Sequence, residues 1–237
     1  MITVATWNVL HRTHADNWYE DVAQRWPDEQ ARTAAITERI AQRTERVIAL
    51  QEVSGDQLVS LRRAPLGRRM HTLRYPRVPT PRRVASSLRE PDEYLVLLVD
   101  GLSREIAAEP FAHDPGKGAL AVVTGELVVI ATHLTGDRRR ARQFTRLAEL
   151  AAIEPDMPTV LLGDFNIDRP TVAANLGDRF TVAELPHDAV QTRPRDSGSK
   201  SRYIDHVVAR GAKVSDAEVD DMGGISDHNL VHATITL

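Results

Sequence analysis

The sequence predicts an α/β protein built from layers of sheet covered by helices. Short runs rich in Val, Ile, Leu and Thr alternate along it with stretches of helical periodicity. The runs end in polar residues or glycine, as strands do. With 237 residues, 42% hydrophobic and 27% charged, the chain can bury a substantial core and has an ordinary globular composition. A single domain spanning 1–237 is expected.

Eight runs are expected as strands: residues 2–6, 47–50, 94–99, 119–123, 127–132, 159–162, 204–209 and 230–237. Gly125 leaves so short a link between 119–124 and 126–132 that the two should pair as a hairpin, and several such hairpins would make a largely antiparallel or mixed sheet. The first helix should open at Pro27, where a first-turn proline is tolerated. Asp28 and Glu29 add acidic charge there, and Ala31, Ala34, Ala35 and Ile40 follow. A second should run from about 138 to 152, with Ala141, Phe144, Leu147, Ala148 and Ala151 on one stripe. Its Arg138, Arg139, Arg140, Arg142 and Arg146 should face solvent or an anionic partner. Residues 62–89 stand apart, with nine Arg, four Pro and no Asp or Glu. The prolines oppose regular structure, so an extended cationic surface excursion is expected there. An unbalanced run of one sign gains most from an anionic partner.

The net charge of −3 argues against a uniformly cationic nucleic-acid wrapper, though not against a local basic track. The absence of cysteine excludes disulfides, thiolate zinc sites and cysteine nucleophiles. The first residues carry no basic region followed by a long apolar stretch, and no segment reaches the length of a membrane span. A cytoplasmic protein without membrane contact, and a monomer, is the expectation.

Polar clusters recur at the ends of the predicted strands. They are Trp7-Asn8, Gln51-Glu52, His133, Gly163-Asp164-Phe165-Asn166 and Ser226-Asp227-His228, with Asp205 at or inside the start of 204–209. Loops converge at strand ends, so such side chains can meet in one cleft. Singly, each cluster reads as a solvated residue or a turn. Turns alone do not account for their joint recurrence.

Thr6-Trp7-Asn8-Val9, Leu50-Gln51-Glu52-Val53, Thr132-His133-Leu134, Gly163-Asp164-Phe165-Asn166, Tyr203-Ile204-Asp205-His206 and Ser226-Asp227-His228 resemble, in order, the motifs of the endonuclease/exonuclease/phosphatase superfamily. The resemblance implies a DNase I-like four-layer α/β sandwich, two packed sheets flanked by helices. It also implies a Mg²⁺-dependent phosphoester hydrolase, with Mn²⁺ able to substitute. Glu52 is then the principal carboxylate ligand, Asn8 a neutral oxygen beside it, directly or through water, and Asp227 completes the site or holds a second ion. Asp164 orients or deprotonates the attacking water, and Asn166 donates to a phosphoryl oxygen. His228 contacts the phosphate with its tautomer fixed by Asp205, and His133 is a second phosphate contact without a carboxylate partner visible in the sequence.

The opening stretch, with Asn8-Val9-Leu10, Asn17-Trp18, Trp26 and Arg32, looks like the branch of poly(A)-shortening nucleases and RNA cyclic-phosphate phosphatases. That similarity points to nucleic-acid ends, with single-stranded RNA preferred, and makes Arg74, Arg77 and Arg82 candidate phosphate contacts. The sequence departs from the branch over about 65–118, where a Gly-x-Ala strand would be usual. A small phosphorylated metabolite or inositol phosphate is the alternative substrate, and a non-catalytic binding module is the reading from another class. His206 should point away from Asp205, on the opposite face of its strand. His11, His14, His113 and His232 are expected at the surface or in loops. Trp18, Tyr19 and Trp26 are expected to pack against the first helix in preference to stacking a base.

Overall fold

The computed structural model describes residues 1–18, 20–82, 84–194 and 202–237. Two six-stranded mixed sheets lie face to face. The first runs β11 (Lys213–Asp220), β12 (Leu230–Thr236), β1 (Ile2–Asn8), β2 (Val47–Ser54), β4 (Glu93–Val99), β3 (Arg69–Arg74). The second runs β5 (Arg104–Phe111), β6 (Asp114–Thr124), β7 (Leu127–His133), β8 (Thr159–Asp164), β10 (Asp205–Arg210), β9 (Phe180–Val182). Within each sheet one central pair is parallel, β1 with β2 and β7 with β8, and the other neighbours are antiparallel.

The inner strands read as continuous apolar runs because both their faces are buried. Along β4, Leu95, Leu97 and Val99 enter the core between the sheets, while Val96 and Leu98 turn to the outer layer. β7 divides in the same way, with Leu127, Val129 and Ala131 inward and Val128 and Ile130 outward. The helices α3 (Glu29–Ala41) and α4 (Gly55–Arg63) cover the first sheet. The second is covered by α5 (Arg140–Ala151) and α6 (Arg169–Leu176). Helix, sheet, sheet and helix make the four expected layers.

Several local expectations shift. Asp28 is the cap of α3, accepting from the Gln30 and Ala31 amides, so Pro27 lies before the helix and not in its first turn. α5 buries Phe144, Leu147, Leu150 and Ala151, leaving Ala141 exposed. Two of its neighbouring arginines pair within the chain, Arg139 with Asp137 and Arg146 with Glu109 and Glu149. The segment 62–89 is not one surface excursion. Its first two arginines end α4, β3 joins the first sheet, and Leu73, Tyr75 and Leu88 are buried. No helix among the described residues is long and apolar enough to cross a membrane.

His206 leaves the cleft, as strand alternation requires. Its Nε2 pairs with the Ile167 carbonyl at 2.8 Å, its ring meets Phe165 edge-on, and burial lowers its pKa to about 4. Because the folded value lies below the unfolded one near 6.5, the stability it confers is present above pH 6.5 and is lost as the pH falls toward 4. About 2 kcal/mol should disappear between pH 7 and pH 5. Urea unfolding of the wild type against His206→Gln at both pH values measures it; a parallel loss in the two proteins would refute the assignment.

Candidate active site

Strand register brings the polar clusters together. The parallel β1–β2 pair sets Asn8 beside Gln51, next to Glu52, and the parallel β7–β8 pair sets His133 beside Asp164. The antiparallel β8–β10 pair puts Asp205 opposite Asp164. A Cβ at Gly163 would collide with the Thr132 carbonyl, so glycine is what lets β7 and β8 approach just before Asp164. The loop before β12 is stitched to β1: Ser226 Oγ donates to the Asn8 carbonyl at 2.7 Å, and Trp7 Nε1 donates to the His228 carbonyl at 3.0 Å.

Glu52 sits in a β-bulge, where the β2–β4 register shifts between Leu50 and Val53, with φ +57°. A non-glycine residue in this region costs energy, which the surrounding structure must hold in place. Its Oε1 accepts from Asn8 Nδ2 at 3.1 Å and its Oε2 from the His11 amide at 3.2 Å. Burial alone would raise its pKa, but the charges of His14, His133 and Lys117 and the Asn8 bond hold it far below the usual carboxylate range.

Asp164 is the junction. Its Oδ2 accepts from Asn8 Nδ2 at 3.1 Å and lies 3.3 Å from His133 Nε2 and 3.9 Å from His228 Nε2, while its Oδ1 accepts from the Asn166 amide at 2.8 Å. Burial opposes its ionisation, yet His133 and His228 outweigh that and depress its pKa strongly. Asn166, also at positive φ, donates its side-chain amide to the Leu134 carbonyl at 2.9 Å. His228 Nδ1 is 2.9 Å from Asp205 Oδ2. Burial would lower the imidazole, but Asp205 and Asp227 prevail and raise it to about 9; burial raises Asp205. The dyad therefore carries a cation at neutral pH.

Asp227 Oδ2 is gripped by Arg193, with Nη2 at 2.7 Å and Nε at 3.0 Å, while its Oδ1 is buried without a hydrogen-bond partner. Lys117 Nζ meets His133 Nε2 and reaches the same cleft of about 600 Å³. His133 therefore has carboxylate neighbours, Asp164 and Glu52, that sequence spacing did not reveal.

Of the three candidate arginines, Arg77 and Arg82 line the cleft. Arg74 does not; it is held on β3 by Asp92, with Nε 2.9 Å from Oδ2. His11 and His14 correct the surface expectation: His11 is fully buried against the Pro91 carbonyl, and His14 lines the cleft with Nε2 3.1 Å from buried Glu93. Trp26 packs into the core as expected, Trp18 is 61% exposed on the cleft, and Tyr19 lies outside the described residues. Lys117, Arg193 and His14 were missed. Lys117, alone between Gly116 and Gly118 just before an apolar run, carried the one usable signal.

The donor set fits a divalent cation. Glu52, Asp164 and Asp227 are acidic, and Asp227 Oδ1 is an unsatisfied buried oxygen that a cation would relieve. Asn8 Oδ1 accepts from the Leu10 amide at 3.0 Å, while its Nδ2 donates to Glu52 and Asp164 and holds the two carboxylates together. Asp164, Asp205 and His228 also bring ligand atoms within 4.8 Å of one another, but His228 Nδ1 and Asp205 are committed to their own ion pair.

An acidic pocket ringed by imidazole, guanidinium and ammonium groups suits an enzyme that hydrolyses phosphoester bonds. The chain belongs to the Endonuclease/Exonuclease/phosphatase family, whose model matches residues 5–228. Among solved structures, a truncated Caenorhabditis elegans TDP2 aligns over 100% of this chain and 97% of its own at 17% identity and TM-score 0.67. D. rerio TDP2 complexed with a single-strand DNA product aligns over 100% and 99% at 14% identity and TM-score 0.69. A Bacteroides thetaiotaomicron mannosyl-6-phosphatase aligns over 100% of both chains at 13% identity and TM-score 0.66. These likenesses establish the fold. A search of curated protein sequences finds no significant match.

Proposed function

We propose that the protein is a Mg²⁺-dependent phosphodiesterase or phosphatase acting on single-stranded nucleic-acid ends. The observation that carries this reading is the convergence on Asp164 Oδ2 of the Asn8 amide, His133 and His228, with Glu52 bound to the same Asn8 amide. Glu52 and Asp227 Oδ1 would hold the cation, which when bound supplies Lewis acidity at the phosphoryl oxygen and stabilises the leaving oxyanion. Asp164, kept ionised, is a weak base but a firm acceptor, and it orients the attacking water. His228, cationic through Asp205, grips a phosphoryl oxygen; Lys117, set against His133, supplies positive charge from another wall of the cleft, and Asn166 adds a neutral donor.

The likeness to a TDP2 with bound single-strand DNA supports a nucleic-acid substrate, and the basic cleft residues Arg77, Arg82, Lys117 and Arg193 suit its phosphates. The preference for RNA draws on the opening stretch of the sequence. Purified protein with Mg²⁺ should turn over labelled single-stranded RNA, DNA and terminally phosphorylated oligonucleotides, RNA fastest. Turnover should vanish in EDTA and return with Mg²⁺ or Mn²⁺. Phosphate release from sugar phosphates with none from any oligonucleotide would replace this reading with the small-metabolite one, which the likeness to a mannosyl-6-phosphatase favours.

A further inference from the structure

α1 (Arg12–Trp18) presents His14, Asn17 and Trp18 to the cleft, three residues at the spacing of one helical face. Trp18 is an anomaly there. A tryptophan is costly to leave in water, yet this one is 61% exposed even though the Arg82 guanidinium lies over its ring, 5.2 Å from the centroid. The arrangement is held in place from behind. Asn17 Nδ2 donates to the Thr80 carbonyl and Asn17 Oδ1 accepts from the Arg82 amide, each at 2.9 Å, so the backbone that carries Arg82 is fastened to the helix that carries Trp18. Val78 and Pro79 continue this wall of the cleft as an apolar surface. Glu52, Asp164 and His228 line the same cleft.

The cleft is therefore two-sided in chemistry, with a charged end made for a phosphate and an aromatic end pre-assembled before any ligand arrives. A flat ring with an adjoining phosphate matches both. We infer that Trp18, backed by Arg82, is the platform on which a nucleobase next to the attacked phosphate stacks. This rests on the nucleic-acid reading above and makes it more specific. Every base has a π-face, so such a platform gives affinity for single strands with little sequence preference. Binding should be lost where a base is absent or locked inside a duplex. Arg82 adds a second contribution, because a guanidinium on the cleft wall can pair with a phosphate of the stacked strand.

The test is fluorescence anisotropy in EDTA, so that nothing is cleaved. The probes are a fluorescein-labelled single-stranded oligonucleotide and the same backbone made abasic throughout. Wild type should bind the base-bearing strand about tenfold more tightly than the abasic one. Trp18→Ala should erase that ratio by weakening only the base-bearing complex, and Trp18→Phe should restore most of it. Circular dichroism of both variants shows that the fold is intact. Equal weakening of both probes by Trp18→Ala, or none of either, overturns the platform while leaving the nucleic-acid reading in place. A wild type that binds neither strand overturns both.

Discussion

Replacing Asp164 by Asn is expected to lower kcat by roughly 10³- to 10⁴-fold while the protein stays folded. The carboxylate accepts from the Asn8 side chain and the Asn166 amide and lies beside His133 and His228, so four polar groups of the site meet at it. An amide of the same shape removes the charge and puts at least one N–H against groups that are themselves donors. The attacking water then loses its acceptor, and His133 and His228 lose the anion between them. Single-turnover rates at saturating Mg²⁺ measure the loss, with circular dichroism to verify folding. A variant within tenfold of wild type would remove Asp164 from the mechanism.

Replacing Glu52 by Gln is expected to act through the cation. A ligand carboxylate that contributes several kcal/mol of charge stabilisation corresponds to a rate loss of about 10³-fold at fixed Mg²⁺. The half-saturating Mg²⁺ concentration should rise at least about tenfold. Gln keeps the shape but only one oxygen, so it can accept from the Asn8 side chain or from the His11 amide and not from both; circular dichroism checks that the bulge and the fold persist. The pair of variants also locates the ion. If Mg²⁺ demand climbs in Glu52→Gln and stays level in Asp164→Asn, the ion sits at Glu52. The opposite pattern would move it to the cluster of Asp164, Asp205 and His228.

The sequence spoke clearly wherever both faces of a strand are buried. The eight strands it revealed, such as β4 and β7, are all interior to their sheets. The four it hid, β3, β5, β9 and β11, are the four sheet edges. Edges need little apolar surface and carry charge or proline that discourages pairing with other chains, as Lys213, Asp216 and Glu218 do in β11 and Pro110 does in β5. They therefore look like loops to any search for hydrophobic runs. The site shows the same divide. Residues in strand-end motifs were legible because the strands place them. Lys117, Arg193 and the His14–Glu93 pair were not, since their neighbours in space are far off in the chain: Arg193 meets Asp227, and His14 meets Glu93. Arg74 was misjudged because composition located the basic segment but could not say that Asp92 neutralises this member of it.

The hydrogen bonds that tie Trp7 and Asn8 to His228 and Ser226 bridge 221 and 218 positions of sequence. During translation Glu52 emerges long before the residues that complete its site. A ribosome-bound chain halted between Asp164 and Ser226 holds Glu52 and Asp164 but lacks His228, so such incomplete copies should be chemically inert.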